Sequence, residues 1–158
     1  MQMSMRQTTI ERRLKKPEGL DPFPRQATST SMIPAPLVLV LEDEELISWD
    51  LEVSLVEVGY LVATARSCAQ AADLLATRRP DVAVLDVLLS DGQCVDVAKK
   101  LHADDVPFVV HSALARTEVD DAFRSGTFLA KPAGILDIVG AVTKLAAGDQ
   151  RGNNLSKR

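Results

Sequence analysis

Aromatic residues are scarce in this chain of 158 residues, with one Trp, one Tyr and four Phe, and cysteine and histidine number two each. No His/Cys cluster stands at the spacing a zinc site needs, since His102 falls on a helix face and His111 is alone. Cys68 and Cys94 fall in expected helices, which predicts two small reduced thiols in an intracellular core rather than a disulfide or a metal site. No apolar run approaches the roughly 18 residues that cross a bilayer, and the amino-terminal stretch lacks the apolar segment of roughly 7 to 15 residues found in a secretory signal. The expectation is a cytoplasmic protein without membrane insertion. No Gly-x-Gly-x-x-Gly follows Leu41, which argues against a dinucleotide-binding enzyme.

The formal charge of −4 conceals a split. Residues 37–147 hold 9 Lys/Arg against 18 Asp/Glu, whereas residues 1–36 hold 6 against 3 and residues 148–158 hold 3 against 1. The acidic middle argues against nucleic acid as a partner. Residues 1–36, with Arg12, Arg13, Lys15, Lys16 and five prolines, read as a disordered basic arm, and residues 148–158 as a flexible polar tail. One domain is expected between them, over residues 37–147.

Strand and helix patterns alternate along that domain. Leu37 to Leu41 is a continuous apolar run, as a parallel strand covered on both faces requires. Leu46, Ile47, Leu51, Leu55 and Val58 form the apolar stripe of a helix that Gly59 stops, and Leu61 to Ala65 make the second strand. Ser67 is a plausible N-cap for a helix through about Arg78 that turns Ala71, Ala72 and Leu75 inward. Asp81 to Asp86 is the third strand, followed by a loop with Ser90, Asp91 and Gly92 and a helix carrying Cys94, Val97, Ala98 and Leu101 on one face. Val106 to His111 is the fourth strand. Thr117 then caps a helix of barely two turns with Val119, Ala122 and Phe123, and Thr127 to Ala130 is the fifth strand. Ile135, Ile138, Val139, Val142 and Leu145 mark the last helix, which Gly148 closes. Five such units with right-handed crossovers predict a doubly wound α/β fold: a five-stranded parallel sheet in flavodoxin-like order 2-1-3-4-5, with helices on both faces.

Polar residues fall where four of these strands end: Glu42-Asp43, Asp86, Ser112 and Lys131-Pro132. Ligands of open α/β sheets gather beyond the carboxyl ends of the strands, and the expected order sets the first and third loops side by side. Glu42, Asp43 and Asp86 can then share a cation. Crowded carboxylates repel one another unless protons or a cation neutralise them. Magnesium suits the set, because it takes hard oxygen ligands, keeps several waters and needs few carboxylates, whereas calcium wants more protein oxygens. Asp43 and Asp86 are assigned as direct ligands and Glu42 as a ligand through water. Asp86 can attack phosphorus to form an acyl phosphate, while Lys131 and Ser112 hold the phosphoryl oxygens.

Residues 37–147 resemble the receiver domain of response regulators in two-component signalling. The family's acidic pair corresponds to Glu42-Asp43, its phosphoacceptor to Asp86, its switch hydroxyl to Ser112 and its lysine to Lys131, followed by Pro132, which is often preceded by a cis peptide. Its aromatic switch residue corresponds to Phe128. Ser90 and Cys94 stand where proline and glycine are frequent in the family, and the interval from Ser112 to Lys131 is short. That interval and Pro107-Phe108 resemble a group of stand-alone, single-domain receivers with a short fourth helix, although Val110-His111-Ser112-Ala113-Leu114 replaces the second half of that group's motif.

The resemblance implies a phosphoryl group supplied by a histidine kinase or a histidine phosphotransfer protein. Ser112 then moves toward it and Phe128 turns inward, altering the binding of an unknown downstream protein. Neither tail is expected to build an output domain. The protein is thus expected to be a phosphoacceptor with slow autophosphorylation and autodephosphorylation at most, rather than an enzyme. A receiver-like binding module that no longer uses phosphate is the alternative, and it predicts loss of a site residue, whereas none is lost. A phosphatase of the aspartate-nucleophile type would need a second aspartate at the place of Leu88.

Overall fold

The computed structural model describes residues 34–153. Residues 1–33 of the expected amino-terminal arm, and residues 154–158 of the expected tail, lie outside the described residues. The first strand, β1 (Leu37–Leu41), is followed by α1 (Glu45–Glu57), β2 (Leu61–Ala65), α2 (Cys68–Thr77) and β3 (Val82–Leu85). A short hairpin of β4 (Leu88–Leu89) and β5 (Gly92–Gln93) precedes α3 (Val95–Ala103). Then come β6 (Phe108–Ser112), a 3-10 turn (Asp121–Phe123), β7 (Thr127–Ala130) and α4 (Ile135–Asn153).

Parallel pairing runs from Leu37↔Leu61 to Leu41↔Ala65 between β1 and β2, and from Val38↔Val82 to Leu41↔Leu85 between β1 and β3. β6 joins β3 through Val84↔Val109, and β7 joins β6 through Val110↔Phe128. The sheet order is β2-β1-β3-β6-β7, which is the expected 2-1-3-4-5 once the hairpin strands are counted.

Alternation along the strands divides the core into two layers. Val38, Val40, Val82, Val84 and Val109 pack with Leu51 and Leu55 of α1 and with Ile138, Val139 and Val142 of α4. Leu39, Leu41, Leu85, Phe108 and Val110 pack with Ala71 and Leu75 of α2, with Val97, Ala98 and Leu101 of α3, and with Phe123. Each fully buried Leu or Val in these layers contributes about 1.5–3 kcal/mol relative to exposure.

Local signals act as their chemistry requires at several boundaries. The Ser67 hydroxyl accepts a hydrogen bond from the Gln70 amide and caps α2. Gly59, at φ +100°, takes the backbone out of α1 in a conformation that costs a side chain dearly.

Several expectations are corrected. Ala72 is exposed, so only Ala71 and Leu75 turn inward from α2, and the third strand spans Val82–Leu85 without Asp81 and Asp86. Leu46 is 77 % exposed and Val58 56 % exposed, so neither joins the inward stripe of α1. Leu46 lies about 140° around the helix from Leu51, and Val58 is the C-cap beyond the last helical residue. Leu46, Trp49, Val53 and Val56 form a second, solvent-facing apolar stripe. The two-turn helix from Thr117 is instead a single 3-10 turn, because the Asp120 carboxylate accepts the Ala122 N–H and starts the turn only there. The fourth strand begins at Phe108 and includes Ser112. The last helix continues through Gly148 to Asn153, since Gly148 does not adopt the positive φ that ends a helix. Finally, Cys68 and Cys94 are joined in a disulfide, with their Cα atoms 5.2 Å apart, and are not reduced thiols. Cys68 opens α2 and Cys94 is the N-cap of α3, and these two helices pack side by side, so their first residues converge.

Candidate functional site

Three backbone hydrogen bonds continue the parallel ladders past the regular strands and fix the site. The Glu42 amide donates to the Ala65 carbonyl (3.1 Å), the Asp86 amide to the Leu41 carbonyl (2.8 Å), and the Lys131 amide to the Ser112 carbonyl (2.9 Å). Each functional residue thus stands one position beyond its strand, with its main chain still held in sheet register. The Lys131-Pro132 peptide is cis.

The Lys131 ammonium bridges two strands, donating to Asp86 Oδ2 at 2.7 Å and to Glu42 Oε2 at 3.0 Å. The second oxygen of Glu42 accepts the Glu44 amide, and Asp86 Oδ1 accepts the Leu88 amide at 3.2 Å. Asp43 Oδ2 accepts the Ser90 amide at 3.0 Å. One carboxylate oxygen each from Glu42, Asp43 and Asp86 lie within 4.8 Å of one another. Glu42 is 2 % and Asp86 8 % exposed, so their charges face little solvent.

The structure therefore brings together Glu42, Asp43, Asp86 and Lys131. Ser112, also buried, ends β6 with its hydroxyl accepting the Leu114 amide at 3.2 Å, so it is at the site's edge and turned to its own loop. Phe128 is half-buried against the α2/α3 layer, with the Arg116 guanidinium 6.0 Å from its ring centroid.

Burial pushes the Glu42 carboxyl above its ordinary value, against the opposing pull of the Lys131 hydrogen bond and charge. Burial works to lower the Lys131 ammonium, but hydrogen bonds to Asp86 and Glu42, with their charges, outweigh it and raise the group above its ordinary value. The pair is a charged, desolvated contact. Three carboxylates against one ammonium still leave an excess of negative charge, and the donors are hard oxygens of the kind magnesium prefers.

Sequence reasoning missed several residues that shape the site. The amides of Leu88 and Ser90 orient Asp86 and Asp43, but main-chain donors carry no residue signature. His111, whose place beside the Ser112 hydroxyl suits either tuning access or finishing a strand, lies in β6, where it is 4 % exposed and neither ring nitrogen has a partner among the described residues. Its burial, and next the charge of Lys131, lower its pKa below the ordinary value, opposed by Asp86. Alternation along β6 could have shown that His111 faces inward with Val109.

Comparisons with known proteins agree with this geometry. A family model described as the response regulator receiver domain matches residues 38–143. The transcriptional regulatory protein PdtaR of Mycobacterium tuberculosis is 31% identical over 110 residues, covering 66% of this chain and 54% of that protein. The transcriptional regulatory protein AfsQ1 of Streptomyces coelicolor is 37% identical over 79 residues, covering 49% of this chain and 35% of that protein. The chain thus matches about half or less of the length of these curated relatives. Among solved structures, the receiver domain of the Francisella response regulator 1452 superposes with TM-score 0.63 at 25% identity, covering 72% of this chain and 98% of that one. A CheY-like receiver domain protein from Methanospirillum hungatei reaches TM-score 0.69 at 16% identity, covering 75% and 99%, a likeness of fold alone. Among the described residues no helix is long and apolar enough to cross a membrane.

Proposed function

The chain belongs to the response regulator receiver domain family, and we propose that it takes a phosphoryl group on Asp86 and signals through phosphorylation-dependent protein binding. Receiver domains work with phosphodonor kinases. The donor here is a histidine kinase or a histidine phosphotransfer protein, acting in the cytoplasm, and the receptor of the signal is a downstream protein. The observation that carries the reading is the contact of one ammonium, Lys131, with both Asp86 and Glu42 beside Asp43.

Glu42, Asp43 and Asp86 would hold magnesium, which when bound supplies positive charge to the phosphoryl oxygens. A carboxylate oxygen of Asp86 forms the new bond to phosphorus as the donor's phosphorus–nitrogen or phosphorus–oxygen bond breaks, and the electron pair leaves with the donor. Lys131 Nζ, already 2.7 Å from Asp86, is placed to hold one oxygen of the transferred group. The Ser112 hydroxyl can donate to another once it releases the Leu114 amide. That movement would supply a physical origin for the switch, because Ser112 is paired with Ala130, two residues along β7 from Phe128 and on the same face. Apart from this slow gain and loss of phosphate, no turnover is assigned to the protein. A single-domain, stand-alone mode of action is part of the proposal.

Incubation with magnesium and acetyl phosphate, read by intact mass, tests the proposal. One phosphoryl adduct is expected, dependent on magnesium and absent from Asp86→Asn. A folded, magnesium-binding protein that gains no adduct from either this donor or a histidine phosphotransfer protein would favour a receiver-like module that works without phosphate.

A further inference from the structure

We propose that Cys68 and Cys94 form a redox modification site whose disulfide holds the loop beside Asp86 closed and so prolongs the life of the phosphoryl group. The inference rests on the reading of Asp86 as phosphoacceptor. Only residues 87–93 separate Asp86 from Cys94, so the disulfide anchors the phosphoacceptor's own loop to α2.

That loop is tied at both of its borders. Toward the acidic site, the Leu88 amide bonds Asp86 and the Ser90 amide bonds Asp43. Toward α2, the Asp91 carboxylate accepts the amides of Cys68 (3.0 Å) and Ala69 (3.2 Å). Asp91 is exposed, so these bonds compete with water, whereas the disulfide does not. Leu88, two residues past Asp86, is 53 % exposed, and its amide holds Asp86 Oδ1 at 3.2 Å, so its main chain is fixed beside the carboxylate. Holding the loop in place holds Leu88 in place, and water reaches an acyl phosphate at Asp86 less often.

The disulfide is open to exchange. A cleft of about 440 Å³ between α2 and α3 is lined by Cys68, Cys94, Ala72, Leu75 and Val97. Cys68 is partly exposed and Cys94 buried, so an incoming thiolate meets the Cys68 sulfur first and Cys94 leaves. The exchange balances with a small thiol as reductant: two thiols reduce the disulfide to two protein thiols and are themselves joined as a disulfide. An oxidised small thiol reverses it. Asp91 also lies near both sulfurs, but its oxygens already accept the α2 amides and paired sulfurs offer no thiolate to a metal. Disulfides of cytosolic proteins are commonly transient and sensing rather than structural.

The test uses the full chain in two forms, one equilibrated with oxidised glutathione and one reduced with a phosphine and desalted, distinguished by alkylation and intact mass. Both are phosphorylated with acetyl phosphate and magnesium, the donor is removed, and loss of the adduct is timed. Amide hydrogen exchange of residues 87–93 is read in parallel. Reduction is expected to speed exchange across this loop and to shorten the adduct's life at least about threefold. The doubly substituted Cys68→Ser, Cys94→Ser protein is expected to behave as the reduced form under both treatments. Equal adduct lifetimes, or an oxidised sample whose thiols both still alkylate, would overturn the inference. If neither form gains an adduct, it is the phosphoacceptor reading that fails, and exchange alone then judges the loop: unchanged protection overturns its closure by the disulfide.

Discussion

Lys131 keeps its charge in a buried setting because Asp86 and Glu42 each place an oxygen within hydrogen-bonding distance of Nζ. Removing one partner would leave an uncompensated buried charge, so the pair is better suited to poising a site than to stabilising a fold. His111 is the contrasting case, since nothing among the described residues bonds its ring and burial keeps it neutral in the folded protein. Its folded pKa lies below the ordinary value of 6.5, so as pH falls through 6.5 the unfolded chain binds a proton that the folded protein refuses. Stability from this group is therefore full above that pH and declines below it, until the folded pKa is reached. Urea unfolding between about pH 7.5 and pH 5.5 should show wild type losing up to about 1 kcal/mol more than His111→Leu. Parallel pH profiles for the two proteins would show that the buried imidazole is paired after all. Glu42 shifts the other way, its raised pKa favouring the folded state as pH falls toward the carboxylate range, which is why the comparison is made as a difference between proteins.

Helix ends show where local chemistry decides and where it does not. Ser67 and Gly59 act as their residue types predict, because a hydroxyl cap and a positive-φ glycine are decided within one turn of chain. Gly148 misled for the opposite reason: a glycine ends a helix only when its backbone leaves the helical region, and here it does not. A Cβ at this exposed position would meet nothing within 4 Å. Gly148→Ala is accordingly expected to stabilise the protein by about 0.5–1 kcal/mol in chemical denaturation. A loss of stability would mean that α4 ends earlier in solution. The sheet order and the positions of Glu42, Asp43, Asp86 and Lys131 were legible because apolar runs and the polar residues ending them are contiguous in sequence. The outward stripe of Leu46, Trp49, Val53 and Val56 and the meeting of Cys68 with Cys94 were not. Each depends on which helix lies beside which, a tertiary fact that no single segment encodes.

At the scale of the whole molecule, two apolar layers serve to carry one polar edge. The layers bury residues from β1, β2, β3 and β6, with Phe128 and Leu129 of β7 partly buried against them, and leave the carboxyl ends of β1, β3 and β7 to present three carboxylates with one oxygen each within 4.8 Å, two of them bonded to the Lys131 ammonium. Everything proposed for signalling depends on a covalent bond at one of those carboxylates. The measurement that reaches it most directly is borohydride trapping: protein treated with acetyl phosphate and magnesium is reduced, digested and mapped, since hydride converts an aspartyl phosphate to homoserine. Homoserine at position 86 alone, and none when magnesium is withheld, is the predicted result. Homoserine at another carboxylate, or none in a protein that takes up phosphate, would contradict the account.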